Sequence, residues 1–206
     1  MTPAKRMFDV ILALCGICLF IVPGIFLVGF LLLVQGRPIF YRSERMKTPN
    51  QAFLLWKFRT MLRTGKDSGV SGGDKLVRIT AAGHVLRRNR LDEIPQLWNI
   101  LRGDMSFVGP RPPLRQYVER FPTLYADVLQ SRPGVTGLAT LVFHKREAHL
   151  LALCETCAQT DAVYVAKCIP RKARLDLIYL QNKTLLLDVT LILRTVFALR
   201  KKRRSA

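Results

Sequence analysis

RRNRLDEIPQLWNILRGDMSFVGPRP, residues 87–112, places two adjacent carboxylates, Asp92 and Glu93, between clusters of arginine. The stretch reads as a short helix. The Asp92 carboxylate can accept from the amides of a first turn, Pro95 is tolerated within that turn, and Gly103 suits its end. Ile94, Leu97, Trp98 and Leu101 then fall on one face. A carboxylate at a helix N-terminus beside Arg87, Arg88, Arg90 and Arg111 is expected to stay ionised, because dipole and cations both favour the charged form. That is the state a nucleophile or metal ligand needs. An isolated Asp-Glu pair more often does no more than start a helix. Here the surrounding residues argue for chemistry.

Upstream, Thr80 can cap a helix running to Arg90, with Val85 and Leu86 turned inward and Arg87, Arg88 and Arg90 available to the carboxylates. Downstream, Gly109 next to Pro110 presents Arg111 from a backbone with little freedom to lose, which suits a phosphate clamp. Between Pro38 and Met61, two aromatic-rich apolar runs flank a polar Thr-Pro-Asn turn, the pattern of a hairpin of two short strands. There Lys57 and Arg59 alternate with Trp56 and Phe58. On a strand the two cations would project from one face, toward a phosphate or toward solvent. Gly65 to Lys75, GKDSGVSGGDK, is a glycine-, serine- and aspartate-rich loop of the kind that forms a lid, and it matches neither a Walker loop nor a dinucleotide fingerprint.

Val10 to Val34 form 25 consecutive residues without charge, amide or hydroxyl, longer than the apolar core of a signal peptide. This segment belongs in a membrane. Pro23-Gly24 lies near its middle, and Lys5 and Arg6 precede it while Arg37, Arg42, Arg45 and Lys47 follow it. From these residues alone, a re-entrant hairpin kinked at Pro23 and a kinked spanning helix both fit. The 33 Lys and Arg against 14 Asp and Glu give a net charge of +19, which narrows the partners to polyanions: nucleic acid, anionic membrane lipids or phosphorylated substrates. No nucleic-acid recognition motif accompanies that charge, so nucleic acid is not expected as a partner. Five cysteines, an odd number, do not make a secreted disulfide framework, and Cys15 and Cys18 in the apolar segment read as packing residues. From Arg171 onward, leucines and isoleucines are interrupted by Lys183, Asp188 and Arg194, which argues for an interfacial helix rather than a second span. The tail Lys201-Lys202-Arg203-Arg204 suits an anionic leaflet, at roughly 1 kcal/mol per charge.

Taken together, these residues resemble the bacterial sugar transferases, more narrowly the monotopic polyprenyl-phosphate phosphoglycosyl transferases. The likeness begins with Lys5-Arg6-Met7-Phe8-Asp9, passes through the proline-broken apolar segment, Lys57-Phe58-Arg59-Thr60-Met61 and Arg78-Ile79-Thr80, and is densest in LDEIPQLWNILRGDMSFVGPRP. Arg132-Pro133-Gly134-Val135-Thr136-Gly137 and Asp176-Leu177-Ile178-Tyr179 extend it over most of the chain, in what looks like the minimal form of the family.

The resemblance implies transfer of a sugar 1-phosphate from a UDP-sugar to a polyprenyl (undecaprenyl) phosphate, with release of UMP. It implies Asp92 as covalent nucleophile, Glu93 as its partner in metal or proton handling, and Mg²⁺ as cofactor held by Asp92 and Glu93. Lys57, Arg59, Arg88 and Arg111 are the expected phosphate-binding cations, since an anion attacks a diphosphate only when its oxygens are neutralised. A hard cation wants oxygen ligands and needs no histidine cluster. The family likeness also favours the hairpin over the span, seating the chain monotopically on the cytoplasmic face of a bacterial inner membrane. Residues 1–36 are the expected re-entrant membrane hairpin and residues 37–206 a cytosolic catalytic domain. The expected fold is α/β and predominantly helical, a small domain with one short strand pair plus amphipathic interfacial helices. A homo-oligomer is compatible with this reading.

The chain departs from the family after Gly137. Where a Trp-Ala-Gln-Val-Asn-Gly-Arg-like run is usual, it has Leu138-Ala139-Thr140-Leu141-Val142-Phe143-His144-Lys145, which leaves Lys145 or Arg146 to replace a missing arginine. Cys154, Cys157 and Cys168 follow, with His144 and His149 nearby; only one spacing suits zinc, and thiols within a helical segment are the default reading. The competing account of the whole chain is a non-enzymatic scaffold that uses the same basic charge on a membrane surface.

Overall fold

Thr2 starts a single long helix, α1 (Pro3–Gln35), by accepting the Lys5 amide through its side chain at 3.3 Å. Pro3 is favoured at the first position and Gly36 ends the helix with φ 65°. The computed structural model describes residues 1–62, 69, 70 and 72–204, and the side chains of residue 74 and of residues 199–206 lie outside that description. Residues 65–68 and 71 of the loop expected to form a lid, and the basic side chains of 201–204, therefore lie outside the described residues.

A hairpin follows α1. β1 (Phe40–Thr48) pairs antiparallel with β2 (Gln51–Phe58) across Pro49-Asn50, where the Thr-Pro-Asn turn is expected. A 3₁₀ turn (Gly73–Arg78) leads to α2 (Ala81–Arg88), which Thr80 caps by accepting the Gly83 amide at 2.9 Å. α2 stops two residues before the expected Arg90, and of its two apolar residues Leu86 is buried whereas Val85 is 59% exposed. Another 3₁₀ turn (Leu91–Glu93) precedes α3 (Gln96–Arg102). β3 (Ser106–Val108) is followed by α4 (Arg115–Arg120) and α5 (Pro122–Val128), then by β4 (Gly134–Thr136), which pairs parallel with β3. The rest is helical: α6 (Leu138–Ala152), α7 (Cys157–Val163), a π-helical turn (Tyr164–Cys168), α8 (Ile169–Asn182) and α9 (Leu185–Arg204). The domain is thus mostly helical with the expected strand pair, and the three-residue pair β3–β4 is an addition.

The largest core joins β1 to α4–α8 through Met46, Tyr117, Tyr125, Phe143, Tyr164 and Ile169. α1 is held at both ends. Near its start, Ala13 packs with Phe53, Leu55, Ile100 and Met105, and Gly16 abuts Leu97. Near its end, Leu31 packs with Phe58, Ala82 and Leu86, supported by Ile94. Between these anchors its apolar side chains face outward, Leu19 69% and Phe26 75% exposed on either side of Pro23. The stripe Ile94, Leu97 and Leu101 on and before α3 serves these two anchor clusters, while Gln96, Asn99 and Ile100 form the buried face of α3 and Trp98 is 54% exposed.

The first turn of α1 is fastened by buried polar contacts. Lys5 forms an ion pair with Asp188 of α9 and donates to the Val108 carbonyl at 3.2 Å, while the Tyr179 hydroxyl donates to Asp188 at 2.6 Å. Arg6 donates to the last carbonyls of α3, Ile100 and Leu101, at 2.6 and 2.7 Å, and Asp9 accepts from Ser106 and the Phe107 amide at 3.1 and 3.2 Å. Removing one partner of a buried pair strands the other charge. Lys5→Ala is therefore expected to lower the stability of the full chain by about 3–5 kcal/mol. Denaturant unfolding in detergent checks this, and a loss below about 1 kcal/mol, the worth of an exposed pair, would contradict it.

Candidate active site

The carboxylate dyad is set by a turn rather than by a helix cap. Arg90 adopts a left-handed conformation, φ 55°, and the chain then makes the 3₁₀ turn that carries Asp92 and Glu93. Asp92 is consequently not the N-cap expected of it: Pro95 holds that position for α3, and Gly103, φ 79°, ends the helix as expected. A left-handed non-glycine residue costs on the order of 1–2 kcal/mol. Arg90 offsets that cost with an ion pair to Glu93 at 2.7 Å and a donation to the Val135 carbonyl at 3.2 Å.

Asn99 aligns the turn with the hairpin. Its side chain accepts the Trp56 amide at 3.1 Å and donates to the Leu54 carbonyl at 2.8 Å, locking α3 to β2 one residue short of Lys57. Lys57 thereby reaches Glu93 at 3.7 Å. From the other side comes Arg111, 3.2 Å from the same Glu93 oxygen and 40% exposed. The backbone ahead of it is fixed by close approach: a Cβ on Gly109 would lie 2.1 Å from the Arg132 carbonyl oxygen, and the Gly109 and Gly134 amides donate to the Thr136 and Pro110 carbonyls at 2.9 and 2.8 Å.

The two carboxylates differ sharply. Glu93 holds three cations, Arg90, Arg111 and Lys57, whereas none of the ion pairs among the described residues involves Asp92. Burial alone would raise Glu93, but Arg111, Arg90 and Lys57 outweigh it and hold its pKa at about 2. Glu93 is therefore ionised at neutral pH. Asp92, 8% exposed, is shifted the other way: burial and then the charge of Glu93 push its pKa up, against the pull of Lys57, Arg87 and Arg111. The surrounding cations thus do not dominate Asp92 as its sequence context suggests. The result is a buried carboxylate with free oxygens, facing cations that Glu93 has assembled.

Of the four expected phosphate-binding cations, the structure brings Lys57 and Arg111 to the dyad. Arg59 lies just past the end of β2 and its guanidinium donates to the carbonyls of Gln35, Gly36 and Arg37, capping the C-terminus of α1. Arg88 is exposed on α2. Its neighbours take the expected place: Arg90 on Glu93, and Arg87, which donates to Thr60 at 2.9 Å, within electrostatic reach of Asp92. Lys145 and Arg146 are likewise exposed on α6, while Glu147 beside them pairs with Lys172 at 2.7 Å. Among the described residues no group of three or more His, Cys, Asp or Glu could hold a metal, so the zinc alternative for the cysteines is not assembled. Cys154 and Cys168 are buried, with burial pushing the Cys168 thiol up to about 11, and Cys157 is exposed.

Comparison with known proteins assigns the chain to a family. The family model described as bacterial sugar transferase matches residues 1–202, nearly the whole chain. The chain belongs to the bacterial sugar transferase family. Among its relatives, the uncharacterized sugar transferase EpsL of Bacillus subtilis is 36% identical over 66% of this chain and 67% of its own length. The exopolysaccharide production protein ExoY of Sinorhizobium fredii is 31% identical, covering 98% of this chain and 88% of its own. A third, the UDP-N-acetylgalactosamine-undecaprenyl-phosphate N-acetylgalactosaminephosphotransferase of Aeromonas hydrophila, is 31% identical over 93% of this chain but only 42% of its own length. As a member of this family the chain is a transferase.

Lys57 gives that site a pH dependence. Burial, and then Arg111, bring its pKa down to about 8, with Glu93 and Asp92 opposing the shift. The ammonium is charged below that pH and neutral above it. If the site binds a phosphorylated donor, kcat/KM for that donor is expected to fall as pH rises through about 8, because kcat/KM follows the free enzyme's groups. Lys57→Arg, which keeps its charge, should move the fall to higher pH in a pH–rate profile.

Proposed function

We propose that this chain transfers a sugar 1-phosphate from a UDP-sugar to undecaprenyl phosphate through a covalent intermediate on Asp92. The observation that carries the reading is the unpaired, buried Asp92 carboxylate beside three cations held on Glu93. In the first step an Asp92 oxygen attacks the phosphorus that bears the sugar, the bond from that phosphorus to the bridging oxygen breaks, and UMP leaves with the electron pair. In the second, a phosphate oxygen of the polyprenyl phosphate attacks the same phosphorus and releases Asp92 as a carboxylate. No net proton transfer by Glu93 is required, which suits a group whose pKa is about 2. Its work is to hold Lys57, Arg90 and Arg111 where phosphate charge must be neutralised.

Magnesium fits this arrangement in a limited way. Mg²⁺ takes one or two carboxylates together with substrate phosphates and water. Asp92 has oxygens to offer and Glu93 has its own engaged by cations, so Asp92 and the donor's phosphates would hold the ion, with Glu93 in support. Bound there, it supplies further neutralisation of the diphosphate.

Support for the membrane part comes from α1. Both its ends pack on the same domain, which suits a segment that enters and leaves on one face and not one that delivers its ends to opposite sides. An apolar groove of about 540 Å³ opens between the Pro23 region and the hairpin, lined by Phe20, Ile25, Phe40, Trp56, Ile94 and Trp98. Ile94 directly follows the dyad, so a prenyl chain lying in this groove would bring its phosphate to Asp92. On α9, Leu186, Val189, Leu193, Val196 and Phe197 are exposed at helical spacing, as an interfacial helix requires. We place the chain on the cytoplasmic face of a bacterial inner membrane, with anionic lipids as partners of its positive charge.

The test is UMP release by the full-length protein in detergent or nanodiscs, with a panel of UDP-sugars, undecaprenyl phosphate and Mg²⁺. At least one UDP-sugar is expected to yield UMP together with a lipid-linked phosphosugar, and chelation of Mg²⁺ to suppress both. Absence of UMP across a broad panel would favour the scaffold account.

A further inference from the structure

Arg45 stands apart from the other cations of the site. Lys57, Arg90 and Arg111 share Glu93, but none of the ion pairs among the described residues involves Arg45. Its neighbour Glu44 is engaged by Arg115 at 2.7 Å. Instead Arg45 is laid along the clamp segment: its Nη1 donates weakly to the Pro112 carbonyl at 3.4 Å, and the next residue, Met46, donates its amide to the Pro113 carbonyl at 3.0 Å. Its Nε donates to the Ser43 hydroxyl at 3.4 Å, and the foremost charge acting on it is that of Arg111. A half-buried guanidinium facing another arginine without a carboxylate between them is costly unless an anion joins them.

Strand register says on which face of the hairpin Arg45 lies. In the β1–β2 ladder, Tyr41 lies opposite Lys57, Ser43 opposite Leu55 and Arg45 opposite Phe53, so Arg45, Tyr41 and Lys57 share one face of the hairpin. Phe40, opposite Phe58, and Trp56 lie on the other face, where they line the apolar groove. Arg45 is therefore on the side away from that groove.

We propose that Arg45 is a further substrate-binding residue, which together with Arg111 takes the phosphate of the nucleotide half of the donor. The inference rests on the UDP-sugar reading of the same site. Bidentate donation from a guanidinium to that phosphate would hold the leaving group while Lys57 and Arg90 face the phosphorus under attack. Burial, first, and Arg111, second, lower the Arg45 pKa to about 10, in keeping with a site that lacks its anion.

The experiment compares full-length wild type with Arg45→Ala and Arg45→Lys, measuring UMP binding by calorimetry and steady-state kinetics for both substrates. Arg45→Ala is expected to weaken UMP binding and raise KM for the UDP-sugar by about 10-fold or more, a loss typical of a charge-assisted contact, with KM for polyprenyl phosphate unchanged. Arg45→Lys, a point charge without the fork, should recover only part of the loss. Unchanged UMP affinity in Arg45→Ala, or a shift confined to KM for polyprenyl phosphate, overturns the assignment. If Arg45→Ala does not fold, UMP affinity in Arg45→Lys equal to wild type overturns it instead. A wild-type protein that neither binds nor releases UMP would sink the donor reading itself, a different result from an active wild type indifferent to Arg45.

Discussion

Asp92→Asn is expected to reduce UMP release by about 10⁴-fold or more, because the neutral amide lacks the anionic oxygen that would form the acyl phosphate and the remaining cations contribute binding without a nucleophile. The substitution is close to isosteric, and Asp92 gives up no ion pair among the described residues when its charge is removed. Stability is expected to move the opposite way from activity. Burial and Glu93 raise the folded-state pKa of Asp92, so its ionised form opposes folding above the unfolded-state value, and the neutral Asn should leave the melting temperature equal or higher. A variant that lost activity through misfolding would instead melt lower. Retained function in Asp92→Asn would support the scaffold account, in which only surface charge matters.

Arg111→Ala is the second large effect. Arg111 is the one cation of the dyad that stands at the mouth of the site, 40% exposed, on a backbone pinned by the contact of Gly109 with Arg132 and Gly134. Such a preorganised donor acts where charge develops, and its loss is expected to lower kcat/KM for the UDP-sugar by about 10²–10³-fold. Arg111→Lys should retain more activity than Ala but less than wild type, since a lysine keeps the charge without the bidentate fork. Steady-state rates with matched melting curves check this. A change smaller than about 3-fold would remove Arg111 from the transfer step.

Much of the site was legible because its chemistry is concentrated in one stretch. Asp92, Glu93 and Arg111 lie within twenty residues, and Gly109-Pro110 announces a fixed presentation of the arginine. The hairpin was readable from Thr48-Pro49-Asn50 and brought Lys57 with it. Failures came where direction depends on where an element ends. Strand alternation put Arg59 beside Lys57, but β2 stops at Phe58 and Arg59 turns to the end of α1. Consecutive arginines at the end of a helix point in different directions; α2 closes at Arg88, and the left-handed Arg90 beyond it swings its side chain to Glu93. No local pattern in the sequence signals a left-handed arginine. Arg45 was visible only as one of several basic residues flanking the apolar segment, because its significance comes from the Pro112 carbonyl 67 positions away. β3 and β4 are three residues each, too short to show a period. Topology of the apolar segment is a similar case: length and Pro23 leave two arrangements open, and the segment forms one continuous helix, α1, with Pro23 inside it.

The central claim is that Asp92 becomes covalently loaded. Intact-mass spectrometry of the protein mixed with its UDP-sugar and Mg²⁺, without polyprenyl phosphate, addresses it most directly. The expected result is a mass increase of one phosphosugar, mapped to the peptide containing Asp92, absent in Asp92→Asn and discharged on adding polyprenyl phosphate. Turnover of both substrates with no adduct at any time after mixing, or an adduct that persists in Asp92→Asn, would contradict it.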